Sequence, residues 1–303
     1  MIELKNNIFS AVIDQDMCVG CGTCLFSSPD LKMQWNREGF LNPASSTPYK
    51  TSEDSLKVCP FNPFPDKEVR TEDEIADIFL KDTPKKHKKV GHYIETYVGY
   101  SNKYRLTSSS GGMVTYLIDE LLKNKVVDAV VTVVTVRDGK ESFYEYAIIR
   151  SSDELLASSE TKYYPVTFAT IIEELKHSNQ RFVVVGIACF IKSIRLLQYY
   201  HPELKEKIKF TIGIICGGIK SKFFAEYLAG KAGVDSSEFD KPRFRIKDHA
   251  STASDYSYGC NDSEGELHTI KMRKVGDMWG SGMFKNNACD FCDDVTTELA
   301  DIS

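Results

Sequence analysis

The sequence predicts two unlike units in one chain: a short α+β module at the amino end, then an α/β domain with a mainly parallel or mixed sheet. Three observations carry that reading. Cysteines gather into tight groups, at 18, 21 and 24 and again at 289 and 292. From residue 112 to residue 229, helical apolar stripes alternate with valine-rich runs, the pattern of strands crossed over by helices. A length of 303 residues suits about two domains of roughly 150 residues each.

Composition narrows the classes. With 42% apolar and 27% charged residues the chain has ordinary globular composition, which excludes general disorder. A formal charge of −5 argues against nucleic acid as a partner, since phosphate binding needs a concentrated basic face. The longest apolar run, 126–136, contains Asp128 and is far too short for a membrane span. The first residues show no basic stretch followed by an apolar one, so the sequence predicts no export and a cytoplasmic location. There the nine cysteines do not persist as disulfides. They are inert in the core, catalytic, or bound to metal.

Cys18, Cys21 and Cys24 form C-x2-C-x2-C, a loop in which three thiolates can converge on three corners of a cubane cluster. Gly20 and Gly22 permit the backbone angles this requires. Bacterial ferredoxins continue as C-x2-C-x2-C-x3-C-P, and the fourth cysteine of each run ligates the other cluster. Here Ser28 stands in that fourth place. A second run read backwards from Cys59-Pro60 puts Tyr49, Ser52 and Ser55 in the other three slots. One ligand set, Cys18, Cys21, Cys24 and Cys59, is thus complete, and the other is wholly lost. Residues 1–65 therefore read as a ferredoxin-like module with one 4Fe–4S cluster. Zinc is the alternative, because C-x2-C also opens zinc ribbons, although those present pairs rather than a triplet. A third reading leaves the cysteines as core residues.

Residues 66–92 are strongly charged and read as a solvated connector with a short helix near 72–80. The basic run at 85–89 could instead dock an acidic electron-transfer partner. His87 and His92 are expected in solvent.

In the body, 93–303, strands are expected at 93–100, 128–136, 182–185 and 209–215. Helices are expected at 112–123, 168–175, 191–199 and 222–229. After Pro242 the pattern fades. Cys189 and Cys216 each close a strand and open a helix, the end of an open α/β sheet where ligands sit. There the helix dipole favours a thiolate, although a small buried residue explains either one alone. With Cys289 and Cys292 they make four ligands, enough for a second cubane, and Cys260 is left over. The stretch 107–112, Thr-Ser-Ser-Ser-Gly-Gly, immediately precedes a helical stripe. It is either an anion cradle or simply a capped helix start, and it matches neither a P-loop nor G-x-G-x-x-G.

Taken together, several segments resemble the coenzyme F420 hydrogenase/dehydrogenase beta-subunit family. They are Ser109-Ser-Gly-Gly-Met-Val-Thr115, Val127-Asp-Ala-Val-Val131, Thr161-Lys-Tyr163, Gly186-Ile-Ala-Cys189, Ile215-Cys-Gly-Gly-Ile-Lys-Ser221, Phe244-Arg-Ile-Lys247 and the closing run from Cys289 to Ser303. The likeness extends over nearly the whole chain, and the closing run is its most specific part. It implies an FAD at the serine–glycine junction, contacted by Ser109, Ser110, Gly111, Gly112 and Thr115, with Lys162 beside it. It also implies a 4Fe–4S cluster near the flavin on Cys189, Cys216, Cys289 and Cys292. Three departures stand out. Ala188 replaces the usual proline before Cys189, Thr161 replaces the usual serine, and the sequence stops at Ser303 where relatives continue with a glycine-rich segment, so any flavin contacts that relatives make there would be missing.

The expected function is an iron–sulfur flavoprotein oxidoreductase passing electrons between 4Fe–4S clusters and FAD, with a two-electron small-molecule substrate, deazaflavin-like or other. Lys162 is the one side chain offered as catalytic. A redox partner protein or ferredoxin is expected to exchange electrons with it. The alternatives are an electron-transfer subunit without a substrate of its own and a zinc-binding structural module.

Overall fold

The computed structural model describes residues 7–47, 51–63, 71–136, 141–250, 252–276 and 280–303. The amino-terminal module opens with a π-helical turn, Phe9–Ile13, and a 3-10 turn, Thr23–Phe26, on either side of the cysteine loop. A two-stranded hairpin follows, β1 (Lys32–Trp35) and β2 (Leu41–Ala44), then the short helix α1 (Asp54–Lys57). The module has its own small core of Ile8, Phe9, Val12, Leu31 and Leu56 around Cys24.

Helix α2 (Glu72–Phe79) starts at a full capping box: the Thr71 hydroxyl accepts from the Glu74 N–H, and the Glu74 carboxylate accepts from the Thr71 N–H. Such a reciprocal cap satisfies two of the orphan donors of a helix start. Part of the expected connector is therefore not solvated, since Ile75, Ala76 and Leu80 are buried in the main core. The basic residues 85–89 do stay exposed. They lie in and beside a hairpin of β3 (Lys85–His87) and β4 (Gly91–Tyr93). His92 is mostly covered and its Nδ1 lies 2.9 Å from the Thr83 hydroxyl, contrary to the solvated side chain expected. The strand expected over 93–100 is also corrected. Pairing ends at Tyr93, and 94–100 runs without a sheet partner along the serine–glycine loop.

The body is a four-stranded mixed sheet between two helical layers. Its order is β6 (Tyr144–Ile149), β5 (Ala129–Thr135), β7 (Phe182–Ile187), β8 (Ile208–Ile214). β5, β7 and β8 are parallel, with Val130 opposite Val183 and Val184 opposite Thr211, and β6 lies antiparallel to β5. Because side chains alternate across a strand, Val131 and Val184 face one core while Val130 and Val183 face the other. Both faces are covered, so the central strands read as continuous apolar runs rather than alternating ones. One layer holds α3 (Met113–Lys123) and α4 (Leu155–Ser158). The other holds α2, α5 (Ile172–His177), α6 (Ala188–Tyr200) and α7 (Glu203–Lys207). The helix expected over 168–175 is broken, with a 3-10 turn at Phe168–Thr170 ahead of α5.

Beyond β8, α8 (Lys222–Ala232) packs on an antiparallel sheet of β9 (Asp240–Ile246), β10 (Ser257–Asn261) and β11 (Leu267–Lys271), which a short α9 (Met272–Val275) follows. Its core is aromatic, built from Tyr144, Tyr164, Phe224, Phe239, Phe244 and Tyr258. Periodicity failed after Pro242 because these short strands alternate only loosely and their burial comes from rings rather than aliphatic runs. Cys260 is wholly buried in this core.

Candidate functional site

The first four thiols converge because the cysteine loop is pinned by backbone. Gly22 has φ +80, and a Cβ there would lie 2.2 Å from the Thr167 hydroxyl, so no other residue fits both the angle and the space. The Cys21 carbonyl accepts from the Phe168 N–H at 2.8 Å. The Gly20 N–H donates to Cys18 Sγ at 3.4 Å, and the Thr23 hydroxyl lies 3.3 Å from Cys21 Sγ. Burial pushes the Cys18 thiol up to about 12, with the Cys21 and Asp16 charges adding to it and the Gly20 amide opposing it. Burial also raises Cys24 and Cys59, again with neighbouring thiols adding to it. Cys18, Cys24 and Cys59, raised in this way, are poor thiolates by themselves. A cation reverses that, because a coordinating thiol is deprotonated outright.

The slots of the lost second run also come together, but as hydroxyls. Ser55 Oγ is within 2.8 Å of the Cys24 carbonyl and 2.7 Å of Ser28 Oγ, which accepts from the Ser52 N–H at 3.1 Å. Three of the four slots thus form one hydrogen-bonded group. Tyr49 lies outside the described residues.

The second four thiols meet at the carboxyl ends of β7 and β8. Cys189 sits in the first turn of α6, Cys216 follows β8, and Cys289 and Cys292 flank the end of a 3-10 turn, Asn287–Phe291. The Gly218 N–H donates to Cys216 Sγ at 3.4 Å and the Ile219 N–H to Cys289 Sγ at 3.3 Å. The Cys216 N–H donates to the Val295 carbonyl at 3.1 Å. All four cysteines line one open cavity of about 490 Å³, mouth included. Val19 and Phe61, neighbours of the first ligand set, line it as well. Burial raises Cys189 strongly, and Cys216 and Cys21 add to it, so the two sets adjoin. Burial also pushes Cys216 up to about 11 and raises Cys289 and Cys292. Cys292 is exposed at the mouth beside Phe291 and Val295, also exposed.

Among the described residues no three cysteine sulfurs lie within 4.8 Å of one another; one trio of metal-ligand type does, Asp262, Glu266 and His268. That trio belongs to the β10–β11 turn, where Asp262 already accepts the Glu264 and Glu266 N–H groups and sits 2.7 Å from His268.

The serine–glycine junction lies at the start of α3. A Cβ on Gly112 (φ +75) would lie 2.7 Å from the Tyr104 carbonyl carbon, so this glycine serves the packing of its own loop. Ser109 is buried and its Oγ accepts from the Thr161 N–H at 2.8 Å, while Ser108 and Thr115 hydroxyls lie 3.4 Å apart. Ser110 is exposed and Gly111 half-buried. No side chain caps α3, which leaves amide donors of its first turn aimed at whatever lies beyond. The Lys162 ammonium donates to the carbonyls of Ser158, Ser159 and Glu160. Burial pulls its pKa down to about 7, and Glu160 pulls the other way.

Sequence reasoning missed the cations at this junction. Lys247 donates to the carbonyls of Ser110, at 2.6 Å, and Arg105. Burial lowers its pKa, and the Arg105 and Arg245 charges lower it further, so three positive side chains gather here. The signal lay in Phe244-Arg-Ile-Lys247, but its position more than a hundred residues from the loop hid its use.

Comparison with known proteins follows the same geography. Two family models described as the beta subunit of coenzyme F420 hydrogenase/dehydrogenase match the chain, the N-terminal model over residues 96–173 and the C-terminal model over residues 179–303. Together these matches cover more than half of the chain. Coenzyme F420-dependent sulfite reductase from Methanocaldococcus jannaschii is 23% identical over an alignment of 316 residues, 90% of this chain and 46% of that protein. The chain thus spans about half the length of this curated relative. A solved structure of the F420-reducing NiFe hydrogenase complex from Methanosarcina barkeri, a xenon derivative, shares the fold at a TM-score of 0.52, with 17% identity and 71% of each chain covered.

Proposed function

The chain belongs to the coenzyme F420 hydrogenase/dehydrogenase beta-subunit family, and on that premise we propose that it is an iron–sulfur flavoprotein subunit of an oxidoreductase. The observation that carries this reading is the pair of adjoining four-cysteine sets, each served by backbone N–H groups. Cys18, Cys21, Cys24 and Cys59 would hold one 4Fe–4S cluster; Cys189, Cys216, Cys289 and Cys292 would hold another. Ser109, Ser110, Gly111, Gly112 and Thr115 would form the flavin-binding junction with Lys162 beside it, and Arg105 and Lys247 would face the pyrophosphate. Clusters carry single electrons, and a flavin links those to a two-electron substrate.

The donor sets fit clusters better than zinc. Four thiolates about 2.3 Å from one zinc ion lie only ~3.8 Å apart, closer than any three of these sulfurs come. The uncapped start of α3 and three nearby cations fit a dinucleotide phosphate. The chain's own residues would bind and screen: Cys21 and Cys24 are buried, and Lys162 closes the carboxyl end of α4 rather than reaching into solvent. The relative and the fold neighbour act with coenzyme F420 by their names, which supports a deazaflavin as the two-electron substrate.

A second reading, an electron-transfer subunit with no substrate of its own, is favoured by Phe291, Val295 and Ile215, apolar yet exposed near Cys292 and Cys216, since such patches mark docking sites. Anaerobic purification with iron, sulfide and flavin counts tests the main reading. About eight iron and one FAD per chain are expected; zinc in place of iron would overturn it. Turnover of a reduced deazaflavin without any partner separates the two readings.

A further inference from the structure

Resting on the two-cluster reading, the packing between the two cysteine sets carries one more step. Asn286 is 3% exposed and uses each of its polar groups, one of them across that boundary. Its Nδ2 donates to the Cys18 carbonyl at 3.0 Å, and its Oδ1 accepts from the Ala288 N–H at 2.9 Å. Its own N–H donates to the Ile219 carbonyl at 2.9 Å, and its carbonyl accepts from the Cys289 N–H at 3.1 Å. One residue therefore holds a ligand residue of the first set, caps the turn carrying Cys289, and grips the turn after Cys216. Next to it, the Asn287 Nδ2 donates to the Asp16 carbonyl at 3.2 Å, and Val19 from the first loop lines the second cavity.

We infer that Asn286 is the positioning residue that fixes the two cysteine sets against each other, and so sets how strongly the groups they hold interact. The side-chain oxygen and nitrogen have separable tasks. The oxygen caps its own turn, a local role that Asp or Ser also fills. Only the NH2 group reaches across to Cys18.

The test uses the full chain prepared anaerobically as wild type, Asn286→Asp and Asn286→Ser. Aspartate keeps the cap and loses the donor at the cost of a charge; serine keeps a short neutral cap without the reach. Iron and sulfide are counted, and paramagnetic resonance spectra are recorded at full reduction alongside a redox titration. Expected are about eight iron in all three proteins, spin–spin interaction in the wild type, and a clear weakening of it in both variants. Two variants with full iron and the wild-type interaction would overturn the inference, as would a fully loaded wild type with no interaction. Loss of about four iron from either variant would make Asn286 a support of one ligand set only, and would also overturn it. A wild type well short of eight iron instead sinks the cluster reading on which the inference stands.

Discussion

Arg195 is a buried guanidinium on α6 whose every polar edge is used. Nε donates to the Leu299 carbonyl at 2.9 Å, one terminal nitrogen to Gln198, and the other to the Thr211 hydroxyl and the Asp301 carboxylate. Asp301 in turn accepts the Thr211 N–H at 2.7 Å. This ties the closing run of the chain to β8, where Ile302 lies beside Ile212 as a short parallel bridge. Removing Arg195 leaves the buried Leu299 carbonyl without its side-chain donor, while Asp301, partly exposed, keeps the Thr211 N–H and hydroxyl. Arg195→Ala should therefore cost about 1–3 kcal/mol in chemical denaturation; a loss below about 0.5 kcal/mol, the level of an ordinary surface substitution, would show the clamp to be dispensable. The segment it holds also carries Asp294 and Val295 of the second cavity, so the same variant should load less iron.

At the scale of elements, the loop before α3 is held from both sides. Asp119, fully buried on α3, accepts from Tyr104 at 2.7 Å, Lys103 at 2.9 Å, and Lys123 and Ser152 at 2.5 Å. Burial works against its charge, but these four donors outweigh burial and hold its carboxyl well below the usual range. On the other side Lys247 reaches in from just beyond β9 to the Ser110 carbonyl. The loop is thus assembled from segments distant in sequence before any ligand arrives. Lys247→Ala removes a charged donor worth about 1.5–3 kcal/mol. It is expected to weaken flavin binding about tenfold or more by fluorescence titration, with iron content unchanged. An unaltered flavin Kd would remove Lys247 from the binding site.

Over the whole molecule, charge gathers where module and body meet near α2. Burial pushes Glu298 up to about 7, and Asp294, Glu72 and Asp293 add to the shift. A carboxyl whose folded pKa is raised contributes stability that is fully present below its unfolded pKa, near 4.5, and lost as pH rises through 7. Glu298→Gln should therefore leave the thermal midpoint unchanged at pH 4 and raise it by about 2 °C or more at pH 8. A variant that gains equally at both pH values would show that crowding rather than charge is relieved. Among the described residues no helix is long and apolar enough to cross a membrane.

Much of this was legible in the residues alone, for local reasons. The C-x2-C-x2-C loop, the helix behind Thr71 and the helix after Gly112 depend on spacing within a few positions, and each was placed to within a residue or two. Valine-rich strands under helical stripes told of a covered sheet, because burial on both faces leaves its mark on composition. What spacing cannot express was decided by tertiary structure. β6 pairs antiparallel through a ladder with β5 that no local pattern announces, and 94–100 has strand-like residues but no strand to pair with. The aromatic sheet after Pro242 draws its burial from rings contributed by four distant segments. The sequence by itself offered eight cysteines as candidate ligands, five of them in C-x2-C spacings whose chemistry is local and Cys59, Cys189 and Cys216 as single positions. Only the folded chain decided that the two sets share a wall, joined through Asn286 and Val19, because a side-chain amide and a backbone carbonyl 268 positions apart meet solely when the module docks on the carboxyl ends of the parallel strands.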